Sequence, residues 1–226
     1  MTEKASTQRK IMCFTATGSF VAAGILTIIG ILTLRKTKLK SHLPLASIPL
    51  GFAIQQIAEG ILWLTIANKQ YAIITNFATY LFLIFAFIIW PLLIPIALWI
   101  PEKNVLRKKL LLILSVCGFL LSAFLTYVIF NYNVSAQIVS HSITYDIAFL
   151  NSFPIEYRLF FYIIPVIIPF FVSSISMGNA MGTLIALSLI ATYYFMKINL
   201  TSVWCFFAAL ISIFIFFIIQ REERCK

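Results

Sequence analysis

Charge is what this sequence has least of: Lys, Arg, Asp and Glu make up 11% of its 226 residues, and only seven of them are acidic. So little polar surface cannot wrap a water-soluble globule of this size, which excludes a soluble fold. Histidine is nearly absent, with His42 and His141 alone. That removes the membrane hydrolases built on histidine-bound zinc, which need about three histidines within their spans. The last apolar run holds no lysine, so a retinal Schiff base has no attachment point there. The four cysteines, Cys13, Cys117, Cys205 and Cys225, have neither zinc-motif spacing nor a disulfide framework.

What the sequence does have is hydrocarbon, with 62% hydrophobic and 15% aromatic residues. A helix needs about 20 apolar residues to cross a bilayer. Runs of that kind, bounded by charge or turn residues, fall at about 12–34, 43–67, 72–100, 110–130, 158–175, 178–196 and 202–220. They lack the alternation of a membrane barrel, and only helices or closed barrels satisfy backbone groups in lipid. The expected fold is therefore all-α, a polytopic transmembrane bundle of seven helices. Residues 1–11 form an amino-terminal extension, 12–220 the membrane domain and 221–226 a cytoplasmic tail. The first run exceeds a signal-peptide core and is expected to stay as a helix.

The formal charge of +10 is concentrated at the ends of these runs, which points to orientation in the inner cell membrane rather than to nucleic acid. The loops at 35–40 and 101–109 and the tail carry 11 Lys and Arg, against 6 on the other side. The positive-inside rule then places the amino terminus outside and the carboxyl terminus in the cytoplasm. Lys4, Arg9 and Lys10 oppose that assignment, and a start of translation at Met12 would remove them.

Several local features carry structural expectations. Pro91 and Pro95 in the third run, and Pro165 and Pro169 in the fifth, each remove a backbone hydrogen bond and kink their helix. Such breaks occur at transporter sites, and also in membrane helices generally. Gly178, Gly182 and Ala186 form a small-residue ridge for close helix contact, within one chain or between two. The segment 138–147, rich in β-branched residues, reads as a solvated loop or as a short hairpin lid.

Glu59 is the only acidic residue inside a span, and no Lys, Arg or His lies in the interior of one to neutralise it. An intramembrane carboxylate is by default a functional-site hypothesis, holding a proton, a cation or a polar ligand. Arg158, at the start of the fifth run, is the nearest cation by depth. Gln55, Gln56 and Trp63 share roughly one helical face with Glu59, giving a polar stripe with an aromatic cap. The structural alternative is a set of interhelical hydrogen bonds that fixes packing. With the amino terminus outside, Cys13 and Thr15 open the first helix, and Trp204 and Cys205 the seventh, near the depth of Glu59. Cys13 and Cys205 read as a disulfide, a thiolate metal pair or two packed apolar side chains, and Trp63 and Trp204 also suit an interfacial belt.

Four motifs together resemble an uncharacterised bacterial membrane family: Met12-Cys-Phe-Thr-Ala-Thr-Gly-Ser-Phe20, the Gln-Gln-x-x-Glu-Gly-x-x-Trp of 55–63, Trp90-Pro-x-x-x-Pro95 followed by Glu102, and Trp204-Cys-Phe-Phe-Ala-Ala209. Members of that family open with Met-Cys-Phe-Ser-Ala-Thr, so the resemblance implies an ancestral start at Met12. This chain carries Thr15 in place of the serine, and Gln55 where some members carry histidine. The resemblance implies a membrane fold and no activity.

Three functions follow as expectations: binding or transport of a small polar ligand, proton or cation at an outward pocket of Glu59, Gln55, Gln56, Trp63, Cys13, Thr15, Trp204 and Cys205; an intramembrane enzyme using a thiol or hydroxyl with Glu59 as base; or a structural assembly partner. The expected partners are the lipid bilayer, that ligand and a second copy in a homo-oligomer, with no nucleic acid. Cofactor and metal are left open by the sequence.

Overall fold

The computed structural model describes residues 15–139 and 142–224. The chain is mostly helical, and six of its described helices are long and apolar enough to cross a membrane: Ala16–Lys36, Lys40–Thr65, Lys69–Trp99, Val105–Asn131, Ile155–Val172 and Gly178–Arg224. The last is 47 residues long and contains both the sixth and seventh expected runs. Large apolar side chains such as Ile28, Leu64, Ile73, Phe119, Leu120 and Phe195 lie exposed on the helix exteriors, as a hydrocarbon solvent requires.

Helix α1 (Ala16–Lys36) is capped by Thr15, whose Oγ1 accepts from Gly18 N at 3.1 Å. A short α2 (Leu43–Ala46) leads into α3 (Ile48–Thr65), which runs antiparallel to α1, with Leu50 against Gly30 and Phe20 over Gly60. The third run is not one regular helix. It is α4 (Ala72–Leu83), a π-helical stretch Ile84–Ile89, and α5 (Trp90–Trp99). Pro91 explains the departure, because it has no N–H for the carbonyl five residues back, Ala86 O. That oxygen accepts instead from the Tyr162 hydroxyl, and Ile88 O accepts from Ser122 Oγ at 2.8 Å.

Helix α6 (Val105–Asn131) begins five residues before its expected start, because Asn104 caps it by accepting from Leu106 N and Arg107 N, both at 3.1 Å. A hairpin of β1 (Val134–Val139) and β2 (Ser142–Ile147) follows, antiparallel and paired from Val134↔Ile147 to Val139↔Ser142. It is the hairpin alternative, not a solvated loop, since Ser142, Ile143 and Ile147 are buried. His141 lies outside the described residues.

The fifth run is α7 (Ile155–Val166) and α8 (Ile168–Val172), broken between Pro165 and Pro169. Helix α9 (Gly178–Met196) is followed by α10 (Leu200–Ile211) and α11 (Phe214–Arg224). Trp204 Nε1 reaches Ile185 O at 3.4 Å, so α10 folds back along α9. The small-residue ridge serves a contact within the chain: a Cβ on Gly182 would lie 2.9 Å from Phe170 Cβ.

At the end of the bundle away from the hairpin, three glutamates tie the connections together. Glu102 accepts from Lys103 N, Asn104 N, Ser174 N and Ser174 Oγ, at 2.7 to 3.0 Å. Glu222 accepts from Ser176 N at 2.7 Å, and Glu223 from Leu39 N at 3.2 Å, with His42 Nδ1 3.3 Å away. At the hairpin end a single residue performs the same task. Asn199 donates to Val139 O at 2.8 Å and accepts from the Thr144 hydroxyl, stapling both strands to the start of α10. Asn199→Ala is expected to raise backbone amide hydrogen exchange across 134–147 by at least about tenfold, the loss of about one net hydrogen bond or more, with the rest of the bundle unchanged.

Candidate functional site

Glu59 sits six residues before the end of α3, on the face turned toward α10, and is 3% exposed. Its Oε2 accepts from Gln56 Nε2 at 3.2 Å, the i, i+3 neighbour that helical spacing provides. Its Oε1 accepts from the Ser202 hydroxyl, which α10 brings from 143 residues away. The described residues form two ion pairs, His42–Glu223 and Lys197–Glu156. Neither involves Glu59, so the expected partner Arg158 does not neutralise it.

Gln55, fully buried one position before Gln56, turns to α5, where its Oε1 accepts from Trp90 Nε1 at 2.8 Å. The indole stacks on Phe52, with ring centroids 4.1 Å apart. The π-helical stretch immediately precedes Trp90 and sets the rotation at which α5 presents it, since each extra residue turns a helix by about 100°. Cys205, three residues after Ser202 and so on the same helical face, lies beside both Gln55 and Glu59.

From above, the hairpin contributes Tyr145, whose ring stacks on Phe82 at 4.3 Å and whose buried hydroxyl has no hydrogen-bond partner among the described residues. Burial, and then the neighbouring carboxylate of Glu59, push this phenol well above its ordinary range. A small cavity of about 30 Å³ adjoins the cluster, with Trp90, Cys205, Trp204 and Tyr162 among its walls.

The remaining expected residues fall elsewhere or into structural tasks. Trp63 packs with Leu62, Ala78 and Ile143 beneath the hairpin. Thr15 is the α1 cap, Trp204 packs edge-on to Tyr162 at 5.6 Å, and Cys13 lies outside the described residues. No group of three or more His, Cys, Asp or Glu is placed to hold a metal among the described residues. Sequence reasoning missed Ser202 and Tyr145. The available signal for Ser202 was its three-residue spacing from Cys205; for Tyr145 there was none beyond strand periodicity.

Fold and site together define a multi-pass helical membrane protein that buries a carboxylate within a span, held by an amide and a hydroxyl, beneath a β-hairpin. A family model described as "Family of unknown function (DUF6629)" matches residues 12–226, and the chain belongs to that family. No curated protein and no solved structure matches it.

Proposed function

We propose that this protein binds a proton, cation or small polar ligand at Glu59, with Gln55, Gln56, Ser202 and Cys205 around it, as a seven-span protein of the inner cell membrane. The seven spans count the 47-residue run as two, which its fold-back at Trp204–Ile185 supports. The excess of Lys and Arg at the end away from the hairpin supports a cytoplasmic location for that end, with Glu59 facing outward.

One observation carries the reading: Glu59 is buried inside a span with two hydrogen-bond donors and no ion-paired cation among the described residues. A carboxylate kept there for packing alone is a poor choice, because a neutral amide accepts from Ser202 and, once the Gln56 amide turns over, pairs with it as well, without a charge to desolvate. Glu59→Gln separates the two readings. It is expected to leave the thermal unfolding temperature in detergent within a few degrees of wild type, while abolishing stabilisation of the purified protein by ligand or by acid. If stabilisation by acid or by added ligand survives in Glu59→Gln, the site is not at Glu59.

A further inference from the structure

Five buried side-chain atoms have no hydrogen-bond partner among the described residues: Gln55 Nε2, Gln56 Oε1, Ser142 Oγ, Tyr145 OH and Arg158 Nε. Three of them belong to the cluster around Glu59. Gln56 holds the carboxylate, Gln55 sits between Trp90 and Cys205, and Tyr145 descends from β2 close enough for the charge of Glu59 to act on it. Folded proteins leave few such atoms unanswered, so their chemistry describes what the site accepts.

The set comprises one donor, one acceptor and one hydroxyl able to act as either. A bare metal ion would answer only the acceptors, and an ammonium group would leave the Gln55 amide N–H unmet. An anion would add to the charge of Glu59. Water alone among simple partners matches all of them, accepting from Gln55 or Tyr145 and donating to Gln56 and Glu59. The adjoining cavity of about 30 Å³ is walled by apolar side chains and by none of these three residues, so the water belongs among the polar side chains themselves and not in that cavity.

The polar connections also run one way. Toward the hairpin lie Tyr145, Thr144 and Asn199, whereas the cavity leads away between Phe52, Ile94, Val166, Phe170, Met181 and Ile185. The titratable groups facing Glu59 are Tyr145 from β2 and Cys205 from α10. No Lys, Arg or His from α1, α4, α5 or α6 acts on it among the described residues.

We infer that the ligand of the Glu59 site is a proton delivered through water held by Gln55, Gln56 and Tyr145, and that it enters and leaves from the hairpin end alone. The inference rests on the reading of Glu59 as a binding site. The step balances simply: an O–H bond forms on a Glu59 oxygen as one breaks in hydronium, leaving water and a neutral carboxylic acid, and it reverses when the hairpin side is made alkaline. One-sided access makes the protein a detector of acidity and not a conductor of protons.

The test is time-resolved infrared spectroscopy of the full chain in lipid vesicles sorted for orientation, following the protonated-carboxyl band after a pH jump, with Glu59→Gln as blank. Wild type is expected to gain the band when acid is added on the hairpin side and not on the other. Tyr145→Phe, which keeps the stacking on Phe82, is expected to slow the change about tenfold, as loss of one hydrogen bond in the relay implies. Asn199→Ala, which frees the hairpin, is expected to speed it. Equal response to acid from both sides overturns the one-sided path. An unaltered rate in both variants overturns the relay. Suppression of the band by sodium, potassium or calcium chloride at constant ionic strength shows a metal cation as the ligand, and overturns the inference while leaving Glu59 as the binding site. A wild-type spectrum identical to the Glu59→Gln blank removes the underlying reading itself.

Discussion

Gly118→Ala is expected to unfold the protein at a markedly lower temperature than wild type, although it adds a single methyl group to a helix otherwise suited to alanine. The new Cβ would stand 2.1 Å from Pro91 O and 3.2 Å from Pro165 Cβ. The first of these is a backbone atom, which no side-chain rotation can move aside. Pro91 O is available for so close an approach because Pro95, four residues on, has no N–H to occupy it. The two prolines and the glycine therefore form one contact among α5, α6 and α7. That contact also sets the distance at which Ser122 and Tyr162 reach the carbonyls of the π-helical stretch. Overpacking of an interior usually costs roughly 1–3 kcal/mol, and this case belongs at or above the upper end. Gly24 supplies the control, since a Cβ there meets nothing within 4 Å. Gly24→Ala is expected to be neutral or stabilising by up to about 1 kcal/mol from helix propensity. Thermal melts by circular dichroism in detergent compare the two, and equal melts would remove the three-helix contact as an explanation.

Glu102→Ala is expected to give the other large loss, at the far end of the bundle. Glu102 is 5% exposed and holds Ser174, Lys103 and Asn104 through four hydrogen bonds. Bonds to a charged group contribute about 1.5–3 kcal/mol each in favourable cases, and partial rehydration of a loop reduces the sum, so the expected loss is on the order of 3 kcal/mol. The pH dependence has a fixed sign. Burial alone would raise this carboxyl, but the bonds from Ser174, Asn104 and Lys103 outweigh it and hold the group below its ordinary 4.5. A depressed carboxyl contributes stability above its unfolded value and loses it as pH falls through the folded value. Wild type should therefore lose stability below about pH 4.5, and Glu102→Gln should lack that part of the decline. Parallel curves for the two proteins would show that Glu102 is not the group responsible.

The helices, and the stripe of Gln55, Gln56 and Glu59, were legible because both rest on local periodicity: hydrocarbon length for the one and 3.6-residue spacing for the other. What escaped was non-local. The spacing of Ser202 from Cys205 places it on a helical face but does not signal its approach to a carboxylate 143 residues distant, nothing near Tyr145 signals one 86 residues distant, and Arg158, similar in depth, forms no ion pair with Glu59. The charge-bounded start of α6 came too late because Arg107, Lys108 and Lys109 lie within its first turns, with the Lys108 ammonium 5.7 Å over the Trp99 ring. Asn104 was the better signal. Glu102, Glu222 and Glu223 were passed over because orientation is read from Lys and Arg, while the acidic residues here cap backbone N–H groups.

The π-helical stretch Ile84–Ile89, in which Trp90 N bonds back to Phe85 O, uses more residues per turn than a regular helix. Removing any one of the six would restore an ordinary helix, improve its internal hydrogen bonding and leave the hydropathy of the span nearly intact. It would also turn Trp90 by about 100° from Gln55 and carry Pro91 away from Gly118. A one-residue deletion in this stretch is thus a repair of the helix that dismantles the bundle, whereas exchanges among Ile, Phe and Ala within it preserve the phase. The number of residues between Leu83 and Trp90 constrains the site as firmly as the identity of any side chain lining it.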